Sequence, residues 1–419
     1  MTIQITPGGT LQGVVTAPSS KSFSIRALVA DYLSGGGSVL NHLSDCDDVI
    51  VAQKALVQLP LGVPVDCGES ALTLHLIAAI AALQSRPTSF TAQGTLRQRP
   101  LASLTQVLER FGASCSPPQL GLPLQVNGPL RAGKSTIDGQ SGSQAVSGIL
   151  MALPLLADDS QILLQRPVSL PYIELTIEVM QQFGVYIEII PTPQATEVCY
   201  LIPGGQSYRP TEVTIPGDWS GAAAVMAAAA VSGVVNKGSQ CLVKGLGATS
   251  FSAPDSSIVE GLRVAGVSCT QHGDGWSIHV AGDLKPFTFD LTHAPDLAPA
   301  LTALAAAIPG ASVLKGAGRL KTKESSRGEV LQQIFKQMGV QIDLSADEMM
   351  IHGRNRIDVS TGNCIIDCHN DHRIAMAAAI AAVSARYPIS LTGASCVSKT
   401  YPRFWDDLAS LGLKIEKIA

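Results

Sequence analysis

The sequence predicts an α/β protein built from six repeated units and divided into about two or three domains. The chain has 419 residues, and domains commonly hold roughly 100 to 200 residues. A helix, a glycine and a short strand follow one another six times along it. Six alanine-rich segments of helical character alternate with these junctions. Regular alternation of strands and helices is typical of α/β proteins.

The composition is that of a globular protein with a large apolar core. Apolar residues make up 46% of the chain and charged residues only 15%, which excludes a disordered or collagen-like polypeptide. The 29 Lys and Arg residues face 33 Asp and Glu residues, for a net charge of −4. Since there is no basic excess, we expect no nucleic-acid partner, and any anionic ligand has to be held by a local cluster of cations.

Cysteine usage and the first residues predict a cytoplasmic protein. The nine cysteines are scattered without a CxxC pair, and we interpret them as reduced thiols rather than a disulfide framework or a zinc site. Residues 1–6 (MTIQIT) have neither the basic nor the apolar region of a signal peptide.

Three uncharged runs, 139–157, 219–236 and 297–314, approach membrane-spanning length and leave a transporter as an alternative. They consist mostly of Ala, Gly, Ser and Pro, and three Trp and seven Tyr residues are few for two interfacial belts. We therefore interpret the runs as helices buried inside a globular protein and expect no membrane association.

The first repeated series marks the ends of the amphipathic helices. Its junctions are Leu61-Gly62-Val63, Phe111-Gly112-Ala113, Phe183-Gly184-Val185, Ala265-Gly266-Val267, Met338-Gly339-Val340 and Leu411-Gly412-Leu413. Glycine after the last helical turn suits a left-handed cap, so each helix is predicted to end there and a strand to follow, as over 185–189. The mean spacing of about 70 residues divides the chain into six units.

The second series consists of alanine-rich helices that we expect to be buried on all sides. Alanine is the best intrinsic helix former, and its small side chain lets helix backbones approach closely. The starts of these helices are predicted near Ser24, Ala71, Gln144, Ser220, Leu297 and Arg373. The outer helices, such as the one predicted over 172–183, have one apolar face.

Polar chemistry is concentrated at the starts of the buried helices. Ser, Asp and Asn at these positions are ordinary N-caps. Capping does not require Lys21, Arg26 or Arg373, because a positive charge opposes the helix dipole there. Cations beside free N–H groups are typical of an anion-binding site. Further along, Lys323 and Arg327 are four residues apart beside Glu324, a combination suited to proton transfer on an anionic substrate.

In these motifs the chain closely resembles the EPSP synthase family, the 3-phosphoshikimate 1-carboxyvinyltransferases, over essentially its full length. Eight short motifs occur in the family order, and together they are far more specific than any one alone. They are 21–26 (KSFSIR), 99–100 (RP), 143–144 (SQ), 169–173 (SLPYI), 295–296 (PD), 323–327 (KESSR), 370–373 (NDHR) and 399–402 (KTYP).

The resemblance implies the enolpyruvyl transferase fold, an inside-out α/β barrel. Two similar domains each contain three βαβαββ repeats around buried parallel helices. Carried over to this chain, residues 1–18 and 217–419 form the first, discontinuous domain, and residues 19–216 form the second. The active site is expected in the cleft between them, which closes on the substrates and excludes water.

The resemblance also implies the reaction: transfer of the enolpyruvyl group of phosphoenolpyruvate to the 5-hydroxyl of shikimate 3-phosphate, with release of phosphate. Asp296, Glu324 and Lys21 are the expected catalytic residues, with Asp296 and Glu324 as proton carriers. Shikimate 3-phosphate is expected to contact Lys21, Ser22, Arg26, Ser143, Gln144, Ser169, Tyr172, Asp296 and Lys323. Phosphoenolpyruvate is expected to contact Lys21, Arg99, Gln144, Arg327, Arg373 and Lys399. No metal or organic cofactor is implied, and the protein is expected to be a monomer.

Three positions depart from the usual family pattern. Ala71 and His75 stand where family members usually have glycine and arginine, and Gly142 replaces a serine before the Ser-Gln pair. The herbicide glyphosate packs on that glycine in the family, so the resemblance predicts low sensitivity here. We expect Ser141 to compensate for the missing hydroxyl.

Two alternatives remain open at this point. The sister family that uses UDP-N-acetylglucosamine typically has Lys-Asn where this chain has Lys21-Ser22, and a loop cysteine in glycine-rich surroundings that Cys115 lacks. An inactive binding protein of the same fold would not need Asp296, Glu324 and the full set of cations.

Overall fold

The computed structural model describes residues 1–116, 121–247, 253–358 and 364–418. The chain divides into two compact units. Unit 1 consists of Met1–Pro18, Pro216–Ser250 and Pro254–Ala419, and unit 2 consists of Ser19–Ile215 and Phe251–Ala253. The chain therefore begins in unit 1, completes most of unit 2 in one continuous stretch, and returns.

Two kinds of helix alternate along the chain, as the two repeated series predict. In chain order the helices are α1 (Lys21–Leu33), α2 (Asp47–Gln58), α3 (Ala71–Ala81), α4 (Ala102–Arg110), α5 (Gln144–Ala152), α6 (Leu170–Gln182), α7 (Trp219–Val235), α8 (Ile258–Val264), α9 (Ala298–Ala306), α10 (Arg327–Gln337), α11 (His372–Val383) and α12 (Phe404–Ser410). The odd-numbered helices are the alanine-rich series, and every residue of α11 is buried. The predicted starts of all six odd-numbered helices are confirmed within three residues.

The strands are short and lie between the helices. They are β1 (Thr2–Thr6), β2 (Gly13–Thr16), β3 (Val39–Asn41), β4 (Val65–Asp66), β5 (Thr88–Thr91), β6 (Ser114–Ser116), β7 (Leu124–Asn127), β8 (Lys134–Asp138), β9 (Ser160–Gln165), β10 (Glu188–Ile190), β11 (Glu197–Ile202), β12 (Glu212–Thr214), β13 (Gln240–Lys244), β14 (Ser268–His272), β15 (Gly275–His279), β16 (Thr288–Asp290), β17 (Gly310–Lys315), β18 (Gln341–Leu344), β19 (Glu348–Gly353), β20 (Cys364–Asp367), β21 (Ile389–Thr392) and β22 (Lys414–Ile418).

The four-stranded sheets share one topology. In the sheet β16-β17-β19-β18 a parallel pair is followed by an antiparallel hairpin. Helix α9 connects its parallel strands and α10 leads to the hairpin, which gives the predicted βαβαββ order. The sheets β20-β21-β1-β22 and β14-β15-β13-β2 in unit 1, and β4-β5-β7-β6 and β10-β11-β9-β8 in unit 2, are built in the same way.

Strands from the start of the chain complete two sheets of unit 1. Strand β1 lies between β21 and β22 and is antiparallel to both. Strand β2 lies parallel to β13, which comes only after the chain has returned from unit 2. The sheets that contain β1 and β2 are therefore completed by strands that lie far from their partners in the sequence.

One sheet of unit 2 is reduced. It contains, among the described residues, only the parallel pair β3 and β12. The reason lies in the connection after α2, where the chain passes Gly62 and enters β4, which pairs with β5 in the next sheet. This junction therefore leads to a parallel strand rather than to a hairpin.

The six predicted helix ends are confirmed by backbone conformation. Gly62, Gly112, Gly184, Gly266, Gly339 and Gly412 all have φ between +74° and +107°, the left-handed region that favours glycine. The strand predicted over 185–189 is displaced, since β10 begins at Glu188. The side chain of Gln206 hydrogen-bonds both the N–H and the carbonyl of Tyr186, at 2.8 and 2.9 Å, so that Tyr186 is not available to a neighbouring strand.

Close packing of the buried helices depends on small residues. A Cβ atom on Gly148 of α5 would lie 2.5 Å from the carbonyl oxygen of His75 on α3. All nine cysteines are free and buried. Within the described ranges, no helix has the length and apolar character needed to cross a membrane.

Candidate active site

Polar side chains of unit 1 converge where three helices begin. Asp296 lies in a short 3-10 turn, Pro295–Leu297, directly before α9. Arg327 is the first residue of α10, and Asp371 is the N-cap residue of α11. Together with Lys323 and Glu324, which precede α10, these residues form what we call the unit 1 ionic cluster.

Arg327 is the centre of the unit 1 ionic cluster. Its side chain is 1% exposed. Its Nε donates to Asp371 Oδ2 at 2.9 Å, its Nη1 donates to Asp296 Oδ1 at 2.8 Å, and its Nη2 donates to Glu324 Oε2. Burial alone would lower the pKa of Arg327, but the carboxylates of Asp371, Glu324 and Asp296 raise it above its ordinary value. The guanidinium is therefore permanently charged and brings two predicted proton carriers together.

Asp296 is held as a carboxylate by its neighbours. Lys323 Nζ lies 3.0 Å from Asp296 Oδ1, the same oxygen that Arg327 binds. Burial would raise the pKa of Asp296, but the charges of Lys323, Arg327 and Arg373 outweigh it and bring that pKa well below its usual range. In this arrangement Asp296 is a weak base. Its basicity increases when other anions bind the same cations and offset their charge.

The two other predicted site cations of unit 1, Arg373 and Lys399, donate to backbone carbonyls. Arg373 Nη1 donates to the carbonyl of Ser220 at 2.5 Å, and Lys399 Nζ donates to the carbonyl of Asn370 at 2.6 Å. Nε of Arg373 is buried and has no hydrogen-bond partner among the described residues. Such a group is expected to find its partner in a ligand or in water.

In unit 2 the corresponding cations stand at the start of α1. Lys21 is the first residue of that helix, and its Nζ lies 3.0 Å from Asp48 Oδ2 in the first turn of α2. Arg26 is one turn further on and is 1% exposed. Its guanidinium donates to the carbonyls of Ser22 and Tyr172 at 2.9 and 3.1 Å, so Arg26 fixes the backbone of two other predicted site residues.

The other predicted residues of unit 2 also stand at helix starts. Ser143 is buried at the N-cap of α5, and Gln144 is the first residue of that helix. Ser169 is the N-cap of α6 with φ +53° and ψ +37°, a left-handed conformation that is uncommon for serine and often found at functional sites. Arg99 follows a 3-10 turn, and its Nη2 donates to Thr95 Oγ1 at 3.3 Å.

The three departures from the family pattern have visible structural consequences. Gly142 has φ +109°, so a serine there would be strained in this backbone. Ser141 ends the preceding turn with an exposed side chain. His75 is buried within α3 and its Nδ1 lies 2.8 Å from the carbonyl of Ala71; burial lowers its pKa to about 4. A neutral imidazole therefore replaces the charge that an arginine would bring.

Sequence reasoning missed several residues that hold the predicted ones. Asp371 and Asp48 bind Arg327 and Lys21, and Asp255 binds the hydroxyl of Ser220, whose carbonyl anchors Arg373. Asp371 is recognisable within its motif as a helix cap, but nothing in the sequence pattern indicates its pairing with Arg327. Asp255 has φ +66°, a property that cannot be recognised in a single sequence.

The chemistry available to these side chains is binding of anions and transfer of protons. Carboxylates, ammonium groups and guanidinium groups occur together without a metal-like arrangement: in the described ranges, no group of three or more His, Cys, Asp or Glu residues could hold a metal ion. The carboxylates of Asp296 and Glu324 share one guanidinium, as expected for an acid–base pair acting on neighbouring atoms.

Comparison with known proteins agrees with the motifs. The family model described as EPSP synthase (3-phosphoshikimate 1-carboxyvinyltransferase) matches residues 55–408. The 3-phosphoshikimate 1-carboxyvinyltransferase of Clostridium perfringens is 31% identical over 430 residues, which cover 97% of this chain and 97% of that protein. The protein of the same name from Methanoculleus marisnigri is 30% identical and covers 99% of this chain and 100% of its own.

Solved structures show the same fold. EPSP synthase from Acinetobacter baumannii superimposes with a TM-score of 0.79 at 22% identity, covering 99% of both chains. The enolpyruvyl transferase NikO from Streptomyces tendae superimposes with a TM-score of 0.76 at 16% identity, covering 99% of this chain and 98% of NikO. The predicted enolpyruvyl transferase fold is thus confirmed. Since relatives at 30% identity or more match along almost the entire chain, the protein belongs to the EPSP synthase (3-phosphoshikimate 1-carboxyvinyltransferase) family.

Proposed function

We propose that this protein transfers the enolpyruvyl group of phosphoenolpyruvate to the 5-hydroxyl of shikimate 3-phosphate, giving 5-enolpyruvylshikimate 3-phosphate and inorganic phosphate. This is a step of the shikimate pathway toward chorismate and the aromatic amino acids. Family membership along almost the whole chain supports the reaction. The observation that carries its chemistry is the shared binding of Asp296 and Glu324 by Arg327.

The two carboxylates divide the proton transfers. As the 5-hydroxyl oxygen bonds to C2 of phosphoenolpyruvate, Asp296 takes the hydroxyl proton. Glu324 enters this step as the protonated acid and delivers its proton to C3, which becomes a methyl group, so that Glu324 is left as a carboxylate. When the bond between C2 and the phosphate oxygen breaks, Glu324 removes a proton from that methyl group. Lys21 and Lys323 stabilise the negative charge on the departing phosphate and on the attacking oxygen.

Substrate binding itself makes Asp296 a better base. In the structure, Lys323 and Arg327 both contact Oδ1 of Asp296. An anionic substrate that approaches the same cations offsets their positive field, and the pKa of Asp296 then rises toward its ordinary value. The carboxylate therefore gains basicity at the stage when the hydroxyl proton has to be removed.

The predicted site residues divide between the two substrates. Phosphoenolpyruvate is bound by Lys21, Arg99, Gln144, Arg327, Arg373 and Lys399. Shikimate 3-phosphate is bound by Lys21, Ser22, Arg26, Ser143, Gln144, Ser169, Tyr172, Asp296 and Lys323. The buried Nε–H of Arg373, which has no partner in the described part of the chain, supports its assignment to the anionic substrate.

The assignment requires residues of both units to act on one pair of substrates. Shikimate 3-phosphate should therefore protect the connections near Ser19 and Pro216 from proteolysis, and digestion with and without the ligand measures this effect. An unchanged digestion pattern would contradict it. We further propose a cytoplasmic monomer that binds no nucleic acid, consistent with nine free, buried cysteines and a net charge of −4.

The reaction is tested by phosphate release. The wild-type protein is mixed with phosphoenolpyruvate and shikimate 3-phosphate, and separately with phosphoenolpyruvate and UDP-N-acetylglucosamine. Release with shikimate 3-phosphate alone is the expected result. Release only with the nucleotide sugar would support the sister reaction, and release with neither would leave a binding protein.

Proton transfer is tested by variants that retain shape and remove charge. Glu324→Gln and Asp296→Asn should each reduce kcat by about 10²- to 10⁴-fold while both substrates still bind. The exposed acids Glu329, on α10, and Asp283 provide the controls Glu329→Gln and Asp283→Asn. Near-normal kcat in both site variants would refute the assignment of proton carriers.

A further inference from the structure

Arg26 is a buried cation that is held by hydroxyl and carbonyl oxygens. Its Nε donates to Thr176 Oγ1 at 2.7 Å, and its Nη2 lies 3.3 Å from Ser147 Oγ. The carbonyls of Ser22 and Tyr172 accept from the same guanidinium. No carboxylate pairs with Arg26 within the described residues, whereas Arg327 contacts three. The charge of Arg26 is therefore not neutralised by a carboxylate in the described part of the chain.

The hydroxyl groups of Thr176 and Ser147 connect three helices at this point. Thr176 on α6 and Ser147 on α5 are both fully buried, and their oxygens are 2.8 Å apart. Thr176 Oγ1 is also 2.9 Å from the carbonyl of Tyr172, one turn earlier on α6. The guanidinium extends from α1 and meets both hydroxyls. Its orientation, and with it the backbone at Ser22 and Tyr172, depends on these two neutral side chains.

Neutral acceptors have a specific advantage here. A carboxylate in place of Thr176 would hold Arg26 as firmly but would cancel its charge. Burial lowers the pKa of Arg26 to about 10, so the group is still protonated near neutral pH. A hydroxyl orients the guanidinium and leaves the full positive charge to act on an anionic substrate through an interior of low polarity.

We propose that Thr176 and Ser147 are positioning residues for shikimate 3-phosphate: their hydroxyl groups fix the guanidinium of Arg26, which in turn holds Ser22 and Tyr172. This inference rests on the proposed function, because Ser22, Arg26 and Tyr172 are residues assigned there to this substrate. Thr176 and Ser147 are not themselves expected to contact the substrate.

The central test compares the Michaelis constants of the two substrates. Thr176→Val removes the hydroxyl at nearly constant volume and should raise KM for shikimate 3-phosphate about 10-fold, since a hydrogen bond to a charged group is lost. KM for phosphoenolpyruvate should change less than about 2-fold. Thr176→Ser, which keeps the hydroxyl, should restore KM to within about 2-fold of the wild-type value.

A matched control separates this effect from general loss of a buried hydroxyl. Thr105 on α4 is also buried in unit 2, and its hydroxyl donates to the carbonyl of Ala102 within its own helix. Thr105→Val should leave both Michaelis constants unchanged. An equal rise of KM for both substrates in Thr176→Val, or a failure of Thr176→Ser to restore it, would overturn the proposal.

A double-mutant cycle tests whether the hydroxyl acts through Arg26. In an Arg26→Lys background, Thr176→Val should raise KM for shikimate 3-phosphate by less than about 2-fold further, because the orienting bond is already lost. A further rise of about 10-fold would show that Thr176 acts independently and would refute the mechanism. If Thr176→Val does not fold, Ser147→Ala is used instead, with an expected rise of about 3-fold; no rise would then count against the proposal.

Failure of the proposed function is distinguishable from failure of this inference. If the wild-type protein releases no phosphate, the proposed function fails. If the wild type is active and KM for shikimate 3-phosphate is unchanged in the variants, only the positioning role fails. NMR of the Arg26 Nε–H group gives a readout without catalysis: slow hydrogen exchange in the wild type should become fast in Thr176→Val but not in Thr105→Val.

Discussion

Asp371 is the acid whose loss should most affect unit 1. It is fully buried and accepts four hydrogen bonds. Two come from Arg327, one from the hydroxyl of Ser325, and one from the backbone N–H of Arg373 at the start of α11. A single carboxylate therefore caps one helix and fixes the first residue of another.

The magnitude for Asp371→Asn follows from these contacts. If the asparagine keeps its oxygen toward Arg373 N, its amide group faces Nε of Arg327 and the hydroxyl of Ser325. The Ser325 hydroxyl can turn round and accept from the amide, but the bond from Arg327 Nε is lost because two donors then face each other. Breaking a buried ion pair costs about 3 to 5 kcal/mol. Because Asp296 and Glu324 still contact Arg327, we expect the lower value, about 3 kcal/mol.

Thermal unfolding followed by tryptophan fluorescence measures this loss in unit 1. All three tryptophans, Trp219, Trp276 and Trp405, lie in that unit. For a domain of this size about 3 kcal/mol corresponds to a Tm lower by roughly 6 to 12 °C. The exposed Asp406 on α12 supplies the control Asp406→Asn, which should shift Tm by less than about 1 °C. A shift of less than about 2 °C in Asp371→Asn would refute the reasoning.

Four further substitutions have defined outcomes. Gly148→Ala should lower the free energy of unfolding of unit 2 by about 2 to 3 kcal/mol, since its Cβ would overlap the carbonyl of His75. Gly328→Ala should instead stabilise α10 by about 0.4 to 1 kcal/mol, because the atom nearest to its Cβ is 3.8 Å away. Denaturant titrations measure both effects. Because the pKa of Asp296 is lowered in the folded state, its contribution to stability is present above its ordinary pKa and lost as the pH falls below about 4; acid titration of Asp296→Asn should therefore show a shallower loss than wild type. Ala71→Gly should increase inhibition by glyphosate about 5- to 150-fold at matched phosphoenolpyruvate, and strong inhibition of the unmodified enzyme would contradict the predicted overpacking.

The architecture was largely readable from the sequence because its signals are local. A glycine that must adopt positive φ marks each of the six helix ends, and apolar, alanine-rich runs with few charges mark the buried helices. The reduced sheet of β3 and β12 was not predictable, because the junction at Gly62 has the same local pattern as the others. Only the pairing of β4 with β5 distinguishes it, and that pairing is a tertiary property.

The candidate site was readable as a set of residue types but not as a set of contacts. The motifs identify Arg26 and Arg327 as cations at helix starts. Nothing in the sequence indicates that the two arginines have different surroundings. In the structure, carboxylates raise the pKa of Arg327, while burial without a carboxylate lowers that of Arg26. The partners that make this difference, Asp371 and Thr176, lie 44 and 150 residues away along the chain. Such pairings depend on which helices pack against one another, and a single sequence does not specify that packing.

The position of β1 has a consequence for synthesis of the chain on the ribosome. This strand is made before either of its partners, yet it lies inside its sheet, with Thr2 opposite both Thr392 and Ile418. Residues 19–215 emerge as one stretch and can fold as they appear, since domains generally fold as units during translation. Strands β1 and β2 must meanwhile remain unpaired until their partners in unit 1 are made. We expect nascent unit 2 to become protease-resistant well before unit 1, and the exposed edges of β1 and β2 to be the segments most in need of protection by chaperones.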